Sequence, residues 1–373
     1  MPNDYYSENW AAATDKFVKS VNPQIGTLKW VRSPSSQFDI PYVTIGNGPN
    51  KIVVNSGVHG LEGYFGSASQ IQFLREMAPK LHDHAMGDFT LVLIHAINGW
   101  GMEHRMREVR DSNGGLVDLN RNFGVDFAHP EHLPKNELYE LSHELLLSRP
   151  NEVKKRAALI EHRKRHLRDG AWDAISHGQY VHPDGLFYGG DAPTVENRMA
   201  LKIYDNIMDA DAKSLVSIGI HTGLGRFNAR QKDVTSKLLV SHPAADARSK
   251  FFGKLFAGAI PVETDERAAN GPVLLGDLVD CLESRYARRN IPIATADLEL
   301  GTGQFPVMST IYKRMDMGDA RYDLKHSGKI NQRTWRNLTE SWYPSSPIWR
   351  RVALERSTVF WHALMDYINK KQR

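Results

Sequence analysis

One cysteine, Cys281, stands among 373 residues, so no internal disulfide can form and nothing calls for an oxidising compartment. No window approaches the ~18 consecutive apolar residues of a membrane span. The opening MPNDYYSENWAAATDKF lacks the basic-then-apolar order of a secretory signal. The expectation is a soluble, cytoplasmic protein with no membrane partner. Neither the G-x-S-x-G turn of serine hydrolases nor a GxxxxGK[ST] phosphate loop occurs. An HExxH zinc motif is missing as well.

Neither charge dominates: the formal net charge is +4. Much of the basic excess sits in RPNEVKKRAALIEHRKRHLRDG, residues 149–170, where Val153, Ala157 and Ile160 recur at helical spacing. That describes an amphipathic helix with a solvated face. No aromatic platform is interleaved for base stacking, so nucleic acid is not an expected partner.

What the chain does contain is a series of β-branched runs at wide intervals: KIVVNSG, FTLVLIHAIN, SLVSIGIHTG, KLLVSH and PIATADLELG. Continuous apolar runs suit strands buried on both faces, and helical patterns such as SASQIQFLREM lie between them. The alternation predicts an α/β protein with a mostly parallel, doubly wound sheet. A helix is expected over residues 7–21, capped by Ser7 with Asn9 near its start, and PIWRRVALERSTVFWHALMDYI reads as a final amphipathic helix. Residues 124–200 form a charged, helix-rich block ending in the glycine- and proline-dense GQYVHPDGLFYGGDAPTVENR. It is expected as an insertion within a single domain spanning 1–373.

The stretch NSGVHGLEGYFGS, residues 55–67, puts His59 and Glu62 three apart just past an apolar run. Among sixteen histidines this spacing means little alone. Position adds weight, because functional groups in open α/β sheets collect at the carboxyl ends of strands. His221 in SLVSIGIHTG and Glu299 in ATADLELGTG stand at two further such ends. A catalytic zinc takes three protein ligands and keeps a position for water, and two histidines with one carboxylate form a known set. His59, Glu62 and His221 fill it, with one zinc per chain, and Glu299 is the candidate to take the water proton.

Other histidine spacings fit less well. His162 and His166 share a helical face but are surrounded by Arg163, Lys164 and Arg165, whose charge opposes a dication. His129 and His132 flank Pro130 in a loop. The arginine-rich HRMREVRDSNGGLVDLNRNFG, residues 104–124, supplies what amide hydrolysis needs at a developing oxyanion and at a substrate carboxylate. Arg107 and Arg121 are the candidates for these two jobs. Asp118, Asn120 and Arg121 alternate with Val117 and Leu119, which could present them on one face.

Taken in order, HGLE, MREVR, VDLNRNF, GIHTG and LELGT resemble the zinc carboxypeptidase superfamily. The resemblance implies a three-layer α/β/α sandwich with a mixed, mostly parallel central sheet. It implies zinc on His59, Glu62 and His221, carbonyl polarisation by Arg107, a carboxylate clamp from Asn120 and Arg121, and Glu299 as the catalytic glutamate. Asp118 takes the place of the aspartate that orients a zinc histidine, fixing its tautomer. SENWAAATDKF, HGLEGYFGSASQIQFL and the GLFYGG loop look like a bacterial and fungal branch of these peptidases, so the resemblance covers most of the chain. Two departures stand out. Where classical carboxypeptidases carry a mobile tyrosine before the catalytic glutamate, this chain offers only Tyr286, on an expected helix. HTG and LELG are also closer to the aspartoacylase and succinylglutamate desuccinylase relatives.

The reading is a zinc hydrolase cutting an amide bond of a carboxylate-bearing peptide by the promoted-water route. Deacylation of an N-acyl amino acid is the alternative, and a non-catalytic metal- or ligand-binding protein is the rival from another class. The insertion is expected to roof the pocket, with Tyr188 as a substrate contact. Self-association into a homo-oligomer is left open.

Overall fold

The computed structural model describes residues 4–35, 37–81, 86–149, 151–240, 245–264 and 276–371. The first helix, α1, runs Trp10–Lys19, and its cap is Asn9 rather than Ser7. The Asn9 side chain accepts from the Ala12 N–H at 2.8 Å, satisfying one of the open donors of the first turn. Two strands not anticipated from the sequence follow, β1 (Gly26–Val31) and β2 (Ile40–Ile45). As an antiparallel pair at the sheet edge they need no continuous apolar run. GTLKWV is buried only at its two ends, and Pro41 interrupts the strand signal of β2.

Next come β3 (Asn50–Ser56), α2 (Gly63–Gln72), β4 (Phe89–Ile94), α3 (Gly99–His104) and the short pair β5 (Val109–Arg110) and β6 (Leu116–Val117). Helices α4 (Glu140–Leu147), α5 (Glu152–His166), α6 (Ala171–Ala174) and α7 (Val195–Ile207) precede β7 (Ser214–Asn228), β8 (Asp233–Val234) and β9 (Ser236–Val240). The rest comprises α8 (Ala245–Leu255), β10 (Val262–Thr264), α9 (Leu278–Tyr286), β11 (Ile293–Gly303), α10 (Pro306–Ser327), α11 (Gln332–Trp342) and α12 (Pro347–Lys371).

The strand order is β1-β2-β4-β3-β7-β11-β9-β10, with β8 paired to β7. The central β4-β3-β7-β11 are parallel. β2 meets β4 antiparallel on one side and β9 meets β11 antiparallel on the other. All five strands expected from apolar runs form, and the sheet is the mixed one with helices on both faces that the resemblance implies. One face is covered by α1, α2, α8 and α12, where Phe65 packs on Trp349 and Phe73 on Trp361. The other is covered by α7 and α9 through Tyr204 and Leu282.

A third apolar cluster joins α4, α5, α6, α10 and α11 through Leu146, Leu159, Trp172, Met315 and Trp342. The basic helix α5 turns a different stripe inward from the one its sequence suggests: Lys155, Leu159 and His162 are buried, while Val153 is 66% exposed. Lys155 buries its stem and carries its ammonium to the Leu146 carbonyl and Asp319, at 2.9 and 2.6 Å, so a long cation outcompetes a short valine for the inner position. No helix among the described residues is long and apolar enough to cross a membrane.

Candidate metal centre

The turn after β3 is shaped by glycine. Gly57 has φ +69°, and a Cβ on Gly60 would lie 2.1 Å from the Gly101 carbonyl carbon. This close approach to α3 sets His59 and Glu62 just ahead of α2, where a carboxylate is favoured by the helix N-terminus. His221 stands on β7, and Glu299 is its register partner on β11. All four side chains are buried.

Three donor atoms converge. His59 Nδ1 and His221 Nδ1 are 3.2 Å apart, and each lies 3.0 Å from an oxygen of Glu62. The opposite ring nitrogens face carboxylates: His59 Nε2 is 3.2 Å from Asp118 Oδ1, and His221 Nε2 is 3.5 Å from Asp297 Oδ1. Carboxylates behind both imidazoles direct both Nδ1 lone pairs to one point, the arrangement that supports a metal-bound histidine. Two imidazoles and one carboxylate suit zinc. The residues therefore fit the ion.

Burial would raise the Glu62 carboxyl, but His59 and His221 hold it below its ordinary range. Burial would lower the His221 imidazole, yet Asp297, Glu62 and Glu299 outweigh it and raise it to about 9. Asp118, also buried, is held well below the usual range by Arg107 and His59. Glu299 goes the other way: burial, with Glu62 and Asp297 nearby, raises it to about 7 against the pull of His221.

Arg107 ties the group together. Its Nη1 donates to Glu62 Oε1 at 2.8 Å and its Nε to Asp118 Oδ2 at 3.3 Å, with the guanidinium over the rings of Trp342 and Phe187. Asn120 accepts from the Leu278 N–H at 3.0 Å, and Arg121 donates to the carbonyls of Asn120 and Ser176 at 2.5 and 2.6 Å. His59, Arg107, Asn120, Arg121, His221 and Glu299 all line one cavity of about 830 Å³. Asp118 lies behind His59, on the side of Nε2. Arg163 and Leu167, Trp172 and Asp173, Ser176 and Phe187 supply the wall drawn from the expected insertion.

Tyr188 does not line the cavity. It packs among Val53, Val117 and Tyr204 of the core, and its neighbour Phe187, at φ +55°, turns toward the site instead. The unusual backbone of Phe187 reverses the facing expected from GLFYGG. Tyr286 ends α9 with its hydroxyl on Asp205 at 2.9 Å, also outside the cavity lining. The sequence reading omitted Asp297 and Lys313. Asp297 had a signal, since residues two apart on a strand share a face and Glu299 follows it by two. Lys313 is one polar position on a long helix; buried in the cavity wall, it donates to Gly223 O, Thr302 Oγ1 and Ser309 Oγ at 2.8, 3.1 and 2.7 Å. The discounted histidines have other partners: His162 meets Ser142 Oγ at 2.8 Å, and His166 and His129 face Asp169 and Asp126 at 2.8 Å each.

A mixed sheet that carries a buried His–Glu–His group, two members in the turn after β3 and one within β7, belongs to a chain with the zinc carboxypeptidase fold. Residues 8–356 match the family described as "Protein of unknown function (DUF2817)", and the chain belongs to that family. No curated protein matches it. Among solved structures, bovine thrombin-activatable fibrinolysis inhibitor, in complex with tick carboxypeptidase inhibitor, aligns with a TM-score of 0.55 over 98% of each chain at 9% identity. Carboxypeptidase A from Helicoverpa armigera aligns at a TM-score of 0.47 and 12% identity over 93% of this chain and 71% of that one. Succinylglutamate desuccinylase/aspartoacylase from Rhodobacter sphaeroides aligns at 0.39 and 17%, over 82% and 67%. At 9% identity the likeness to the first of these is one of fold.

Proposed function

We propose that the protein is a zinc-dependent hydrolase that cuts an amide bond of a carboxylate-bearing peptide. The observation that carries this reading is the convergence of the His59–Glu62–His221 group at the wall of a cavity that His59, His221 and Glu299 line together. A zinc ion held by these three residues would polarise the scissile carbonyl and acidify a water.

Glu299, raised to about 7, is tuned to accept a proton near neutrality and return it. As water oxygen bonds to the carbonyl carbon, its proton passes to the Glu299 carboxylate. The same proton is delivered to the amide nitrogen as the C–N bond breaks. Arg107 offers a fixed guanidinium for the oxyanion. Asn120 and Arg121 line the same cavity and are assigned the substrate carboxylate. Asp118 and Asp297 orient the two imidazoles. A pure binding protein would have no use for a buried carboxyl poised in this way, which favours turnover over binding alone.

The wall formed by α5, α6 and Phe187 favours a short substrate, and this keeps N-acyl amino acid deacylation as the second reading. The test is a panel of peptides with free C-termini, the same peptides amidated, and N-acyl amino acids, each with and without chelation. Chelator-sensitive cleavage of the free-C-terminus set is expected. Cleavage of N-acyl amino acids alone selects the second reading, and no cleavage in any set contradicts both.

A further inference from the structure

His143 of α4 and His182 stack face to face, with ring centroids 3.8 Å apart and planes 22° apart. Neither lines the cavity. Each turns its Nε2 to a carboxylate: His143 to Asp184 Oδ1 at 3.3 Å and His182 to Glu140 Oε1 at 2.6 Å. Ligand atoms of His143, His182 and Asp184 all lie within 4.8 Å of one another. Glu140 and His143, three apart on α4, share a helical face.

The surroundings hold this group in place. The buried Gln179 amide accepts from the N–H groups of Val181 and His182 at 2.9 and 2.7 Å, and donates to the His182 carbonyl at 2.8 Å. Asp184 Oδ2 accepts from Lys325 at 2.7 Å. Two imidazoles and two carboxylates cancel a dication's charge, and the nitrogen donors favour zinc over calcium or magnesium. The Asp126–His129–His132 group differs: all three of its residues are exposed.

We propose that Glu140, His143, His182 and Asp184 form a second zinc site, structural in role, that ties the segment around residues 179–187 to α4. That segment ends in Phe187, whose ring lies over the guanidinium groups of Arg107 and Arg121 at 5.6 and 6.0 Å. The ion thereby braces the cavity wall without touching the reacting atoms.

The test uses full-length protein stripped with chelator, reloaded with zinc and dialysed, with metal per chain measured by plasma mass spectrometry. A His59→Ala/His221→Ala variant removes the cavity site and is expected to retain one zinc that raises its melting temperature. Adding His143→Gln/His182→Gln is expected to abolish both the retained zinc and the thermal shift. Glu140→Gln and Asp184→Asn, which keep side-chain shape, are each expected to weaken the retained zinc about tenfold or more, and they decide the matter if the histidine variant does not fold. Complete loss of zinc from His59→Ala/His221→Ala, or retention unaffected by these substitutions, overturns the proposal.

Discussion

Glu299 on β11 is the register partner of His221 on the parallel β7, and Asp297 sits two residues earlier, opposite Gly219. Strand pairing alone therefore fixes the spacing between the imidazole proposed to hold the metal and the carboxyl proposed as the base. Because side chains two apart share a face, the same strand also supplies the carboxylate facing His221 Nε2.

If Asp118 and Asp297 orient the histidines, Asp118→Asn and Asp297→Asn each lower zinc affinity by about 10–100-fold. Competition with a chromophoric chelator reads this directly. Wild-type affinity in Asp297→Asn would mean that its 3.5 Å approach to His221 has no orienting effect.

Glu299 acts as a base only when ionised. With its carboxyl raised to about 7, kcat/KM should climb with pH along an acidic limb and level off above it. A bound dication favours the carboxylate, so the midpoint falls at or below about 7. A rate that declines through this range as pH rises would remove Glu299 from the base role.

Glycine at position 60 is a packing requirement. Gly60→Ala places a methyl 2.1 Å from the Gly101 backbone, which no flexible side chain can relieve. A loss of about 1–3 kcal/mol in chemical denaturation, with weakened zinc binding, is the expected outcome.

Asp316 gives a stability test away from the metal. Burial raises its carboxyl from 3.8 to about 7, opposed by a hydrogen bond from Ser341 at 2.8 Å. Between these values the unfolded chain has lost a proton that the folded chain keeps, so this group makes stability fall as pH rises through the window. Asp316→Asn removes the dependence. Its melting temperature relative to wild type should therefore improve progressively from the bottom of that window to the top, and a difference independent of pH would contradict the assignment.

The sequence made the centre of the sheet legible because buried parallel strands are written as unbroken apolar runs. The strands β1 and β2 were hidden because one is buried only at its two ends and Pro41 interrupts the apolar run of the other. His59, Glu62, His221 and Glu299 could be picked out because each follows an apolar run, although β7 and β11 continue past His221 and Glu299 to Asn228 and Gly303 instead of ending there. Lys313 had no such signal on its helix. Tyr188 was misjudged because the facing of a loop residue depends on a backbone reversal at Phe187 that residue type does not announce. The inner face of α5 was misread for a related reason: apolar spacing gave no warning that Lys155 would reach Asp319 through the core.

The most direct test of the central claim is Glu299→Gln, with zinc content and amide hydrolysis measured on the same preparation. The ligands His59, Glu62 and His221 are untouched, so the zinc content should match wild type. Turnover should fall by about 10²–10⁴-fold through loss of the general base. Full turnover in the zinc-loaded variant would contradict the mechanism.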